Sequence, residues 1–164
     1  MGVRDFVAVV IGAGVGGGIM MDGRLLEGRL GNAGRLGHMV VEPEGRRCVW
    51  RARVPGGLLQ RHRHRGRGPA GLRSAPQAVV ERTGLLVGRA LAGLGAVCDL
   101  KLAVVGGSVA LGFGEPFFGA AQAELDQRAR LSFTSGFRVV PVGLGQMASL
   151  VGAAALARRA HVEP

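Results

Sequence analysis

The sequence predicts an α/β fold, and three observations carry that prediction. From Val79 onward the apolar pattern alternates helix, strand, helix, strand, helix. The strand segments are short continuous apolar runs of the kind that buried strands show. Thirty glycines with no Gly-X-Y period mark tight turns or loops that approach a ligand, not a collagen-like chain.

Phe6 to Gly12 (FVAVVIG) is continuous and β-branched, which predicts a buried strand. The glycine-rich GAGVGGG follows and leads into IMMDGRLLEG, where Asp22-Gly23 is a type I′ hairpin signal between two apolar arms. The glycine loop therefore opens a second strand, not a helix. Residues 31–45 predict a loop, a short strand at His38–Val41 and a turn at Pro43–Gly45. Val79 to Cys98 has helical spacing of Leu, Val and Ala, with glycines that weaken it. LKLAVVGG predicts a buried strand ending in a glycine pair, and EPFFGAAQAELDQRARLSF a helix with Pro116 near its first turn. FRVVPVG predicts a strand, and QMASLVGAAALARRAH a small-residue helix with basic residues in its last turn.

The 164 residues suffice for one compact domain with a core of Leu, Val and Ala, since tyrosine is absent and aromatics are 4%. The net charge of +10 is local: nine arginines between Arg46 and Arg73 meet no acid, so the body is nearly neutral. Composition breaks near Arg46 and near Pro76, which predicts three regions: 1–48, an Arg-rich irregular 49–77, and an α/β portion 78–164. Two cysteines, Cys48 and Cys98, make no disulfide framework, so a reducing cytoplasm is the expected location. No signal-peptide pattern is read at the start. The apolar run MASLVGAAALA is about half the ~20 residues that a membrane span needs, so no membrane partner is expected.

Two glycine sites could hold phosphate. IGAGVGGG lacks the Lys-Ser/Thr of a Walker A loop, and the hairpin after it excludes a Rossmann fingerprint, which needs a helix there. VVGGSVALG ends a buried strand in Gly106-Gly107-Ser108, at the carboxyl end where α/β folds hold ligands. Each taken alone is equally compatible with a plain tight turn.

Together, IGAGVGGGIMMDGRLLEGRLGNAGRLGH, ERTGLLVGRALAGL, LKLAVVGGSVA and VPVGLGQMASLVGAAALA resemble the ROK (repressor, open reading frame, kinase) sugar kinases. The resemblance covers about residues 3–48 and 79–160. It implies an actin-like ATPase (ribonuclease H-like) fold, here the C-terminal lobe of a two-lobed kinase and therefore incomplete. It also implies glucokinase-like transfer of the ATP γ-phosphoryl group to a hexose such as glucose or an N-acyl hexosamine, with Mg2+ accompanying ATP. Carried over, Gly12, Ala13, Gly14, Gly16 and Gly17 would face the ATP phosphates. Gly106, Gly107 and Ser108 would border the adenosine. Asn32, Gly34, Arg35 and His38 would line the sugar pocket. A homodimer is compatible with the resemblance.

The chain departs from that family in several places. The family's catalytic Asp lies in an Asn-Asp motif ahead of the glycine loop, whereas Asp5 sits in Arg-Asp-Phe, so no catalytic residue is expected within this chain and no turnover from it alone. Ala13 replaces a Thr, and Arg35 replaces a sugar-binding Glu or His; a guanidinium donates hydrogen bonds and accepts none. In the family a His and three Cys bind zinc. His38 and Cys48 keep the ten-residue spacing, but Trp50 and Pro55 stand at the other two ligand positions, and structural zinc takes four ligands. A degenerate, empty zinc site is therefore expected, with His62 and His64 as solvated surface. Back-translated with codons ending mostly in G or C, the residues from Trp50 read one base later as Gly-Gly-Arg-Gly-Cys-Leu-Glu-Ala, the missing half of the motif. A frameshifted stretch from about 50 to 76 is the expectation.

The alternative function is a non-enzymatic binder using the arginines as a nucleic-acid arm. Aromatic interleaving stops at Trp50, so nucleic acid is not the expected partner. A ROK transcription factor would need a helix-turn-helix ahead of the sugar-binding lobes, and no such pattern is read.

Overall fold

The computed structural model describes residues 3–43 and 75–160. The strands are β1 (Phe6–Ile11), β2 (Val15–Met21), β3 (Arg24–Leu25), β4 (Leu102–Gly106) and β5 (Arg138–Pro141). The helices are α1 (Gln77–Cys98), α2 (Ser108–Phe113), α3 (Glu115–Arg128) and α4 (Ala148–Ala160). They build one five-stranded mixed sheet in the order β3-β2-β1-β4-β5. β2 runs antiparallel to β1 and β3, while β4 runs parallel to β1 and β5. One sheet thus draws strands from both sides of the arginine-rich stretch, which itself lies outside the described residues, as do the expected frameshift, Cys48, His62 and His64.

The hairpin signal at Asp22-Gly23 is realised with φ of 53° and 74°, both positive as a type I′ turn requires. Two residues just ahead of β1 brace this turn. The Asp5 carboxylate accepts from the Asp22 amide at 2.5 Å, and the Arg4 guanidinium donates to the Asp22 carbonyl at 2.7 Å. Asp5 therefore serves the hairpin.

The β1 side chains alternate. Val7, Val9 and Ile11 are buried with Ala103, Val105 and Val139 on the same sheet face, while Val10 on the other face is 43% exposed. The continuous apolar run is thus buried on one face among the described residues, because α1 and α3 both pack there. Val87, Leu91 and Leu94 of α1 and Phe117, Ala121 and Leu125 of α3 complete that core.

The glycines of α1 are contact points. A β-carbon on Gly84 would lie 2.4 Å from the Phe117 carbonyl oxygen, and one on Gly88 would lie 2.5 Å from that of Ala121. The helix spends propensity at these positions and gains close backbone approach to α3. It ends at Asp99, whose φ of 50° is left-handed.

Two local differences from expectation have physical causes. His38–Val41 forms no strand: Leu36–His38 is a 3-10 turn that delivers Leu36 to the core at 4% exposure. Gly107 to Gly114 holds the short helix α2, and Gly114 (φ 63°) separates it from α3. No helix among the described residues is long and apolar enough to cross a membrane.

Candidate functional site

The two glycine sites meet in space. β1 and β4 are parallel neighbours with Val10 opposite Gly106, so both chains turn at the same edge of the sheet. That edge is the carboxyl end of both strands, where α/β sheets open toward ligands. After β1, Gly12, Ala13 and Gly14 make the connection into β2. The Gly12 amide donates back to the Gly14 carbonyl at 2.9 Å. The Ala13 and Gly14 amides donate to no group among the described residues, and both residues are exposed. After β4, Gly107 adopts φ 96°, ψ 157°, and a β-carbon on it would lie 2.3 Å from the Ile11 carbonyl oxygen. Ser108 brings its hydroxyl to 3.7 Å from where a Gly12 β-carbon would stand. Two glycine turns and one hydroxyl thus form a cradle whose walls are backbone.

Gly16 and Gly17 lie in β2, paired with Val10 and Val9, and so sit beside the turn and not in it. Their neighbourhood explains them. A β-carbon on Gly17 would stand 2.7 Å from the Leu36 side chain, and one on Gly34 (φ 84°) 2.3 Å from the Gly17 carbonyl oxygen. One on Gly37 would meet the Val15 carbonyl oxygen at 2.7 Å. The segment 28–38 therefore lies flush against β2. Glycine spacing alone hinted at a phosphate loop; it could not show that Gly34 and Gly37 serve a loop-to-strand contact.

That segment carries the expected sugar-pocket residues Asn32, Gly34, Arg35 and His38. Ala33 donates to the Glu27 carbonyl at 3.0 Å, which closes the loop. The Asn32 amide donates to the Leu30 carbonyl at 3.0 Å, and its oxygen accepts from Arg35 at 3.0 Å. Arg35 and His38 are exposed. The described residues hold no group of three or more His, Cys, Asp and Glu that could bind a metal, so His38 has no complete ligand set among them, and no step through zinc is derived.

A further polar group lies in the helical layer. Glu124 of α3, 8% exposed, accepts from Arg89 of α1 at 2.8 Å and from Arg128 at 2.5 Å. Burial would raise its pKa, but the two guanidinium hydrogen bonds and their charges outweigh that and hold it below the ordinary glutamate value. The Glu124–Arg128 pair has the i,i+4 spacing that a helix brings together, but Arg89, 35 residues away from Glu124, offered no sequence signal for this cluster. A groove of about 680 Å3 opens nearby between α1 and α3, lined by Glu81, Leu85, Pro116, Ala120 and Gln127 among others. It is distinct from the glycine cradle.

The family model described as "ROK family" matches residues 1–50. An N-acetylmannosamine kinase from Citrobacter koseri is 34% identical over 129 residues, covering 68% of this chain and 44% of the relative. A ROK hexokinase from Thermus thermophilus superposes with a TM-score of 0.75 at 27% identity, over 92% of this chain and 55% of that one. A ROK family glucokinase from Streptomyces griseus, solved in complex with glucose and AMPPNP, superposes with a TM-score of 0.76 at 22% identity, over 97% of this chain and 62% of that one. The chain thus spans about half the length of its relatives. The likeness in structure is to the actin-like ATPase fold, of which the mixed sheet and its helices form a part.

Proposed function

The chain belongs to the ROK family, and on that premise we propose that it forms the ATP- and hexose-binding portion of a sugar kinase. The observation that carries the reading is the junction of the two glycine turns at the carboxyl ends of β1 and β4. Phosphoryl transfer depends mainly on holding the phosphates and the acceptor hydroxyl in place while charge is neutralised. The Ala13 and Gly14 amides are suited to the phosphate oxygens, since backbone N–H groups at a glycine turn reach anions closely. Gly106, Gly107 and Ser108 form the second wall, against which the nucleoside would lie. Asn32, Gly34, Arg35 and His38 would face the hexose. ATP would arrive with Mg2+, which supplies charge neutralisation on the phosphates. A carboxylate to take the hydroxyl proton is not among these residues, so binding without turnover is the activity assigned to this chain alone. The relatives, an N-acetylmannosamine kinase and a glucokinase solved with glucose, support a hexose as the class of acceptor.

Titration of the 164-residue chain with ATP and with a non-hydrolysable analogue, each with Mg2+, tests the reading. Gly14 is the discriminating position, because nothing lies within 4 Å of a β-carbon placed there. Gly14→Val is expected to weaken nucleotide binding about tenfold or more without lowering the melting temperature, since a bulky side chain would shield the free amides. Absence of nucleotide binding by the unmodified chain sinks the reading.

A further inference from the structure

The loop that reads as the hexose site carries positive charge and no negative charge. From Gly28 to His38 it carries Arg29, Arg35 and His38 and no acidic residue. Arg35 spends one guanidinium N–H on the Asn32 oxygen at 3.0 Å and is held there, exposed, at the head of the Leu36–His38 turn. It makes no ion pair with any described residue, including Glu27, whose carbonyl closes the same loop. A guanidinium has five N–H donors in a planar fork, so four have no partner among the described residues. Asn32 has its amide on Leu30 and its oxygen on Arg35, which leaves the carboxamide largely engaged.

A neutral hexose presents hydroxyls that donate as well as accept, and tight sites answer them with carboxylate acceptors. This loop offers donors. We propose that the ligand taken here is an anionic hexose, bearing a carboxylate or a phosphate, with the free fork of Arg35 on its oxyanion. Charge-assisted, two-pronged contact of this type is about twice as strong as a neutral hydrogen bond and selects planar oxyanions. The proposal rests on the reading of segment 28–38 as the hexose site.

The test is calorimetric titration of the full chain with glucose, glucuronate, glucose-1-phosphate, acetate and inorganic phosphate at fixed ionic strength, repeated for R35Q and R35E. Circular dichroism would verify that both variants keep the fold. An anionic hexose is expected to bind about tenfold more tightly than glucose, as one charge-assisted contact would give. R35Q should erase the difference, and R35E should reverse it in favour of glucose. Whichever of glucuronate and glucose-1-phosphate binds more tightly identifies the oxyanion. Glucose binding as tightly as either anionic sugar overturns the proposal and leaves the hexose site standing. Acetate or phosphate matching the anionic sugars overturns it in favour of a simple anion site. If no sugar binds to any of the three proteins, the hexose reading itself falls and this proposal with it.

Discussion

Gly107 lies so close to Ile11 that a β-carbon on it would stand 2.3 Å from the Ile11 carbonyl oxygen, in a backbone conformation (φ 96°, ψ 157°) that only glycine adopts readily. Gly107→Ala is therefore expected to lower stability by roughly 2–4 kcal/mol, combining backbone strain with a forced shift of β1 against β4. Urea denaturation measures it. The same variant should lose nucleotide binding, whereas Gly14→Val loses binding alone.

The helix pair makes a paired prediction. A β-carbon on Gly88 would stand 2.5 Å from the Ala121 carbonyl oxygen and 2.9 Å from the Glu124 β-carbon, while one on Gly93, on the exposed side of the same helix, would meet only the Met39 methyl, at 3.9 Å. Gly88→Ala should destabilise by about 1–3 kcal/mol through overpacking. Gly93→Ala should stabilise by roughly 0.5–1 kcal/mol through helix propensity. Equal effects at the two positions would contradict this packing.

Glu124 sets an acid limit. Its folded pKa is depressed, so the stability it contributes is full above the unfolded carboxyl value of roughly 4.3 and is lost as pH falls through the lower folded value. Glu124→Gln should cost about 1–3 kcal/mol at neutral pH and flatten the pH dependence of stability below about pH 4.5. Arg89→Ala should be worse than Arg128→Ala, because Arg89 is 29% exposed and ties α1 to α3, whereas Arg128 is 47% exposed and pairs within α3.

The edge strand β5 depends on one amide. Gln122 of α3 donates to the Phe137 carbonyl at 2.9 Å and accepts from the Val139 amide at 2.8 Å, completing hydrogen bonds on the side of β5 that no other strand among the described residues covers. Gln122→Ala should cost about 1–3 kcal/mol, the value of leaving part-buried backbone groups unpaired. Hydrogen exchange at the Val139 amide should accelerate more than at Val105 in the sheet centre.

Much of the secondary structure was legible because local rules act alone there. Val79–Cys98, Glu115 onward and Phe6–Gly12 carry enough periodic or continuous apolar residues that any packing partner would select the same element. Asp22-Gly23 needed only its own backbone preferences. His38–Val41 misled because its apolar pair suits a strand, yet Leu36 gains more by entering the core while Gly34 and Gly37 lie against β2. The family likeness was legible in the ordered motifs on both sides of the arginine stretch, with Ala13 and Arg35 among the positions that depart from them.

By itself the sequence determined the main strands and the long helices and pointed to two glycine motifs as candidates for a site, because period, turn chemistry and motif order are local properties of the chain. Only the tertiary structure decided that β1 and β4 are neighbours, that Gly12–Gly14 and Gly106–Ser108 therefore form one cradle, and that Gly84, Gly88, Gly34 and Gly37 serve close packing. The physical reason is that a glycine reads the same whether the atom it must avoid belongs to a ligand, a loop or another helix, and contact alone tells them apart.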